Sequence, residues 1–463
     1  MVVMKFGGTS VADRAAIERL IAIVRAARQA AIQPESGDLR GPVVVVSALG
    51  GATDLFLKAA TAAGAGDVEG TLDALRALRA RHLEVAGMID APGDRPAVVQ
   101  FINDEFDELE RVTGALAVLH EVTPRWMDAI AATGEILSSR IVTEAIAAHG
   151  IAAGWVDARR AVVTGPEHMA APPLMTETAE ALKAEMEPLL ADRRVPVMGG
   201  FVGATRDGVT TTLGRGGSDY SAAIVGACLG ASEIQIWTDV DGMLTADPRL
   251  VADVQVVPHL SFEEASELAY FGAKVLHPAT IQPAVAENIP VRILNSRHPH
   301  DAKGTLITRD RPSSDQPLTA VASKRHVTVV DIRSTRMLMA HGFLARIFAT
   351  FERYRTSVDV VTTSEVSVSV TIDDARRLPE IVASLQEVAE VTREDDMAIL
   401  CAVGEGLQQD AAFVGRLLEA AGNVPIRMLS QAASRRNITL VIREADLAPT
   451  LARVHDQFFG VHA

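Results

Sequence analysis

Two short apolar runs, each leading through small residues into a helix, constrain this chain more than any other feature. The first is VVMKFGGTSV, residues 2–11. Val2 to Phe6 has the character of a short buried strand, and ADRAAIERLIAIVRAARQ beyond the loop carries apolar residues at helical spacing from Ile17 to Val24. The second is GPVVVVSALGGATD, where a continuous β-branched run ends at Ser47 and another small-residue loop. Strands apolar on both faces and followed by helices predict a largely parallel sheet covered on two sides. GIAAGWVDA, RVPVMGGFVGAT and EIQIWTDVDGM add strands, and the alanine- and leucine-rich region from Leu55 to Ala148 reads as mostly helical. The expected fold class is α/β.

The turn after Phe6 sets Lys5 beside Gly7 and Gly8. A strand-to-helix turn exposes backbone N–H groups at a helix N-terminus, and glycine lets an anion approach without a Cβ in the way. Phosphate is the natural guest, although a tight turn carrying a surface lysine has the same sequence. It is not a Walker A loop, because the lysine precedes the glycines and GxxxxGK[ST] is absent. Lysine occurs only at positions 5, 58, 183, 274, 303 and 324 in a chain whose cations are mostly arginine, so a compact ammonium at Lys5 is informative.

A formal charge of −15 and a pI near 5.3 argue against a nucleic-acid or anionic-membrane binder, so any phosphate site must concentrate positive charge locally. No apolar run approaches the roughly eighteen residues of a membrane span, and the N-terminus lacks a signal pattern. Cys228 and Cys401 have no partners at zinc-ligand spacing and read as buried thiols in a reducing compartment. The expectation is a soluble cytoplasmic protein with no dedicated metal ligands.

Four further segments carry chemistry. In TTTLGRGGSDYSAAIVGACLGA, Gly214, Gly216 and Gly217 form a loop into a helix near Ser218, with Arg215 and Asp219 on either side. Asp219 reads either as a helix cap or as a working acid, whereas a guanidinium near a positive helix end suggests a carboxylate or phosphate partner. FGAKVLHP offers Lys274 in a second small-residue loop, and cations on both sides of a moving phosphoryl group are what its transfer requires. WTDVDGMLTADPR places Thr238 and Asp239 at a strand end, without the terminal glutamate of an EF-hand loop. Glu135, in ATGEILSSR, falls at an expected helix start, where an acid also compensates the dipole.

At 463 residues the chain exceeds one ordinary core. From Asn295 to about Ala322 it turns polar and broken. Beyond, VTVVDI, a helix from Gly342 to Tyr354, SVDVVTTSEVSVSVTID with alternation at Val366, Val368, Val370 and Ile372, and DDARRLPEIVASLQEVA give a β-α-β-β-α order, which MAILCAVG and the remainder repeat weakly. The division expected is a catalytic domain over 1–300, a linker over 301–322, and two small α+β units over 323–395 and 396–463, with interlacing of the two left open. Such a tandem suits ligand sensing or chain pairing.

Taken together, KFGGTSV, VSALGGATD, TGEILSSR, TTTLGRGGSDYSAA, IWTDVDG, DPR, FGAKVLHPAT, GFLARIF and VDVVTTSEVS resemble the aspartate kinases of the amino-acid kinase superfamily, in order and nearly end to end. The likeness is greatest to the monofunctional, lysine-sensitive type, since the chain ends at Ala463 with no room for a fused homoserine dehydrogenase. The resemblance implies an amino-acid kinase fold, a three-layer αβα sandwich, followed by two ferredoxin-like ACT domains. It implies ATP and Mg2+, the metal held on phosphates, L-aspartate as acceptor, pairing of two chains through the ACT domains, and L-lysine as effector. Lys5 and Lys274 would stabilise the transferring phosphoryl, Asp219 would orient them, and Gly7 and Gly8 would offer N–H groups. Arg215 would take the substrate α-carboxylate and Glu135 its α-ammonium, with Ser47, Thr53, Phe201 and Ser218 around them. Thr238, Asp239, Arg249 and Lys274 would serve the nucleotide, although Leu244 stands where close relatives have tyrosine. Met337, Gly342, Phe343, Leu344, Ala345, Ser357, Val358, Asp359, Thr363, Ser364 and Glu365 match the effector site. Met339 and Ala340 depart from it, and threonine, or lysine with a second metabolite, stays open as effector. Two other readings remain: another amino-acid or carboxylate kinase of the superfamily, and an inactive amino-acid sensor.

Overall fold

The computed structural model describes residues 1–31, 41–90, 93–272, 276–299, 303–312, 317–333, 342–431 and 434–460. The chain divides into two units, Met1–Met243 with Val275–Arg311, and Leu244–Lys274 with Pro312–Ala463. The segment 244–274, which the sequence assigns to 1–300, thus groups with the second unit.

In the first unit seven strands lie in the order Ala153–Val156, Val195–Gly199, Val43–Val46, Val2–Phe6, Glu233–Thr238, Val291–Asn295 and Thr305–Thr308. All neighbours pair in parallel except the last two. The expected parallel α/β sheet is present, and the reason is visible in the two runs that lead the sequence. Val3, Phe6 and Val43 to Val46 are without exposed surface, as strands covered by helices on both faces must be. The alanine- and leucine-rich region forms helices Ala52–Gly64, Val68–Ala86, Arg95–Leu119 and Pro124–Ala148. Phe56, Leu75, Ile102, Phe106, Ile130 and Leu137 bring these into one core with Ile17, Leu20 and Val44.

The stretch 301–322 is not simply a linker. It carries the strand Thr305–Thr308, antiparallel to Val291–Asn295, and the start of Ala320–Arg333. Thr305 and Ile307 are buried, an alternation too short to stand out against its polar flanks.

The second unit contains a six-stranded antiparallel sheet in the order Val361–Thr363, Ser367–Ile372, Ala320–Arg333, Glu390–Val403, Asn437–Arg443 and Met428–Ser430. Its two long strands are shared. Thr328 to Arg333 pair with Ser367–Ile372, and the adjoining half of Glu390–Val403 completes that side of the sheet. Ala320 to Lys324 pair instead with Ile399 to Val403, and so belong with Asn437–Arg443. Register shifts between Lys324 and Val329 mark the change. Two cores result. Ile347, Phe351, Val368, Val370, Ile372 and Leu378 fill one, whereas Leu400, Phe413, Leu417, Leu440, Leu451 and Val454 fill the other. Val366, expected on the buried alternation, is exposed because the strand begins one residue later.

His82 is buried in the helical core of the first unit, edge-on to Phe106 at 5.7 Å, and its Nδ1 lies 2.7 Å from the Leu78 carbonyl. Burial disfavours the imidazolium and pushes the ring's pKa down to about 4. A histidine held neutral in the fold but protonated when unfolded removes stability as pH falls from about 6.5 towards about 4, by about 3 kcal/mol in all. Trp126, Trp155 and Trp237 all lie in the first unit. Urea unfolding followed by tryptophan fluorescence should therefore show this loss in the wild type and a shallower pH slope in His82→Leu; equal slopes would exclude His82 as its source.

Candidate functional site

The parallel strands end together, and several of the residues singled out by sequence stand at their C-terminal ends. Lys5 precedes the end of one strand, Ser47 follows another, Gly199 closes a third and Thr238 a fourth. This is where ligands bind in open α/β sheets, because the helices that follow aim their N-termini there. A cavity of about 730 Å³ opens at this edge, lined by Lys5, Gly8, Ser47, Thr53, Glu135, Phe201, Arg215, Ser218 and Asp219. Nine residues proposed from sequence thus meet in one place.

The helix Gly217–Leu229 begins after Gly216, which has φ +71° and makes no side-chain cap. Asp219 in its first turn does not cap it. Its carboxylate lies 2.6 Å from the Lys5 Nζ, and both side chains are largely withdrawn from solvent. The two readings of Asp219 are thereby resolved in favour of a lysine partner. Gly214 and Gly216 both hold positive φ, a conformation that suits glycine and turns the loop so that Arg215 stands between them, exposed on the cavity wall. Arg215 has no ion-pair partner among the described residues.

Glu135 departs from expectation. It lies midway along the helix Pro124–Ala148, whose first turn begins at Pro124, so dipole compensation does not account for it. Its carboxyl is buried and pushed up to about 8 by desolvation, against which a backbone hydrogen bond from Ala48 acts only in part. Its Oε2 has no hydrogen-bond partner. A buried carboxyl on a cavity wall with an unsatisfied oxygen is a receptor for a cation or a donor, since either would favour the charged form.

Gly7 requires a correction. Its N–H donates to the Trp237 carbonyl at 3.0 Å, continuing the ladder beyond Phe6, and is not offered to a ligand. Gly8 lines the cavity. Thr238 and Asp239 sit at the end of their strand, joined by a 3.3 Å hydrogen bond from Thr238, and Asp239 lies 3.7 Å from Arg297. Arg249 belongs to the second unit and pairs with Asp247 at 2.6 Å. Lys274 lies outside the described residues.

The cavity also takes in Asp54, Leu57, Met169 and Thr212, which sequence reading passed over. Met169 lies in the loop GPEHMAAPP, whose proline-rich composition signals only a connection; its φ of +70°, rare for a methionine, is seen only in the fold.

Of the expected effector residues, Met337 lies outside the described residues. Gly342, with φ +81°, caps the helix Phe343–Arg353; Leu344 and Ala345 are exposed in its first turn and Phe343 is buried. Ser357, Thr363, Ser364 and Glu365 are exposed, and Val358 is half-buried. Asp359 is already engaged. Its side chain is 2% exposed, accepting the Tyr270 hydroxyl at 2.9 Å on one oxygen and the Lys324 ammonium at 2.9 Å on the other. Lys324 also meets Asp373 at 2.7 Å and lies 5.4 Å from the centre of the Tyr270 ring. Although burial opposes it, the two carboxylates hold the Lys324 ammonium above its ordinary pKa.

In comparison with known proteins, residues 1–295 match the amino acid kinase family and residues 400–458 an ACT domain. The chloroplastic aspartokinase 3 of Arabidopsis thaliana is 37% identical over 478 residues, covering 99% of this chain and 81% of that protein. The lysine-sensitive aspartokinase 3 of Escherichia coli K12 is 33% identical over 473 residues, covering 99% of each. The crystal structure of E. coli aspartokinase III with aspartate and ADP, in the R-state, superposes with a TM-score of 0.83 at 31% identity, over 99% of this chain and 100% of that one. Its T-state complex with lysine and aspartate gives 0.81 at 32% identity, over 99% of each.

The cavity exists because small residues let its walls approach. A Cβ on Gly200 would stand 2.7 Å from the Ser218 Cα, and one on Gly199 2.8 Å from the Glu135 carbonyl oxygen. Gly200→Ala should therefore destabilise the first unit by about 1–3 kcal/mol, the usual range for overpacking. Urea unfolding read by tryptophan fluorescence measures this, and an unchanged midpoint would show that the walls can separate freely.

Proposed function

This chain belongs to the aspartokinase family, and from that premise we propose that its first unit transfers the γ-phosphoryl group of ATP to the β-carboxylate of L-aspartate. The observation that carries the reading is the cavity itself, lined by a buried glutamate with one oxygen lacking a partner, an arginine without an ion-pair partner among the described residues, and a lysine held on an aspartate. An unmodified amino acid presents an ammonium, a carboxylate and a reacting group to match. Glu135 receives the α-ammonium and becomes charged as it does so. Arg215 takes the α-carboxylate, whose two oxygens its fork can hold together. Ser47, Thr53, Phe201 and Ser218 enclose the remainder.

A β-carboxylate oxygen attacks the γ-phosphorus in line. The new O–P bond forms as the bond to the ADP oxygen breaks, with no covalent enzyme intermediate. Lys5 places positive charge where the transferring oxygens gather negative charge, and Asp219 fixes its ammonium before reaction. Thr238 and Asp239 serve the nucleotide; for Arg249 and Lys274 the assigned roles rest on resemblance alone. Among the described residues no group of three His, Cys, Asp or Glu could hold a metal. We read Mg2+ as arriving on the nucleotide's phosphates, where it supplies charge neutralisation.

No helix among the described residues is long and apolar enough to cross a membrane. Cys228 and Cys401 are free thiols raised above their ordinary pKa by burial, in keeping with a cytoplasmic reading. The second unit is read as the regulatory part, pairing with a second copy and binding L-lysine.

With ATP and Mg2+, the chain should release ADP when L-aspartate is added, and not with L-glutamate, N-acetylglutamate or UMP. Lys5→Ala should lower kcat by about 10²–10³. Arg215→Lys should raise KM for aspartate about tenfold with KM for ATP unmoved. ADP release indifferent to aspartate would favour another kinase of the family, and no release with any acceptor an inactive sensor.

Regulation has its own test. Because Lys324 already occupies Asp359, an effector ammonium directed there must displace it. Calorimetric titration of L-lysine should give about tenfold tighter binding in Lys324→Met, where that competition is gone, and loss of binding in Asp359→Ala. L-threonine serves as the comparison effector. Lysine binding unaffected by either substitution would place the effector elsewhere.

A further inference from the structure

Outside the proposed catalytic groups, the first unit holds a second fully buried carboxylate. Asp128 has 0% exposure and lies on the helix Pro124–Ala148, seven residues before Glu135 and hence on the same face two turns away. It has no lysine or arginine partner among the described residues. Instead it gathers donors from two other segments: the His168 ring through Nδ1 at 2.7 Å, the Met169 N–H at 3.1 Å, and the Thr212 hydroxyl at 2.5 Å. Since the carboxylate accepts only, the ring carries a proton on Nδ1.

We infer that Asp128 is a positioning residue that sets the separation between the ammonium and carboxylate ends of the amino-acid site. The inference rests on the proposed substrate assignment of Glu135 and Arg215. Three observations connect Asp128 to that separation. Glu135 shares its helix. Thr212 ends the strand Thr210–Thr212, two residues before Gly214 and three before Arg215, and itself lines the cavity. Met169 lines the cavity too, and its carbonyl oxygen would stand 3.1 Å from a Cβ on Gly214, while the Ala171 N–H donates to the Thr212 carbonyl at 2.8 Å. The glutamate helix, the 168–171 loop and the arginine loop are therefore tied at one carboxylate. A hydrophobic residue of similar volume would fill this space without the desolvation cost of a charge. What only the carboxylate provides is simultaneous acceptance from three donors on two segments, which fixes both walls relative to the helix.

A group acting in this way governs how well aspartate fits, not how its phosphoryl transfer proceeds. In Asp128→Asn one acceptor oxygen becomes a donor facing other donors. KM for L-aspartate should rise about tenfold or more, the consequence of losing a hydrogen bond to a charged group, while KM for ATP stays within about twofold and kcat within about threefold. His168→Asn should produce a smaller rise of the same kind. Thr212→Val should raise KM for aspartate, and Thr212→Ser, which restores the hydroxyl, should return it.

The assay begins with the wild type. A wild type without aspartate-dependent ADP release overturns the functional reading and this inference with it. A wild type that turns over, joined to Asp128→Asn with unchanged KM for aspartate, or with KM for both substrates raised equally, overturns this inference alone. Should Asp128→Asn fail to fold, the His168 and Thr212 variants decide the matter by the same split between the two KM values.

Discussion

Close approach of backbone at the ends of the parallel strands is the constraint on which the rest of this molecule depends. Gly134, Gly199, Gly200 and Gly217 each stand where a Cβ would fall within 3 Å of a neighbouring atom: Ala48, Glu135, Ser218 and Phe201 respectively. Remove that closeness and the helix bearing Glu135, the helix bearing Asp219 and the strand bearing Lys5 could not present their side chains to one cavity. Phe201 bears part of the strain, holding φ +64° between Gly200 and the strand that follows.

Both units then hold a lysine ammonium on a well-shielded aspartate, and the two pairs differ in what each leaves free. Lys5 and Asp219 stand at 2.6 Å on the wall of an open cavity, so the ammonium keeps donors for a guest. Lys324 is enclosed by Asp359, Asp373 and the Tyr270 ring, so its positive charge is spent internally. The first arrangement favours an added anion, and the second excludes an added cation until something yields.

How much of this was legible in the sequence depends on the range over which the information is carried. Val2 to Phe6 and Val43 to Val46 announce themselves, because burial on both faces leaves the runs apolar throughout, save for Lys5 near the end of the first. The loop around Arg215 is legible for the same local reason: glycines beside a cation before a helix have few other uses. The sequence suggests a helix start at Glu135, whereas the helix begins at Pro124 and Gly134 within it packs against Ala48, more than eighty residues away. The N–H of Gly7 was assigned to a ligand since nothing nearby in sequence reveals that the Trp237 carbonyl takes it. Asp128 with His168, and Lys324 with Asp359, are pairs made wholly by tertiary structure. Each partner alone is an ordinary polar residue with no spacing to mark it.

The shared strands of the second unit carry a consequence for how the chain is made. Ala320 to Lys324 emerge from the ribosome well before Ile399 to Val403, to which they must pair, and those residues in turn await Asn437–Arg443. The half built on Thr328 to Arg333 finds its partners within residues 328–394, whereas the half built on Ala320 to Lys324 must wait for strands made after that half is complete. An unpaired edge therefore stays exposed until Asn437–Arg443 has been made, and pairing across such sequence separation is slow. An edge left waiting beside other chains on the same message can find a strand from a neighbour instead of its own. Native pairing of that half is then settled only once Asn437–Arg443 has been made, and the helix Glu444–Phe459, which directly follows, brings Leu447, Leu451 and Val454 to cover it.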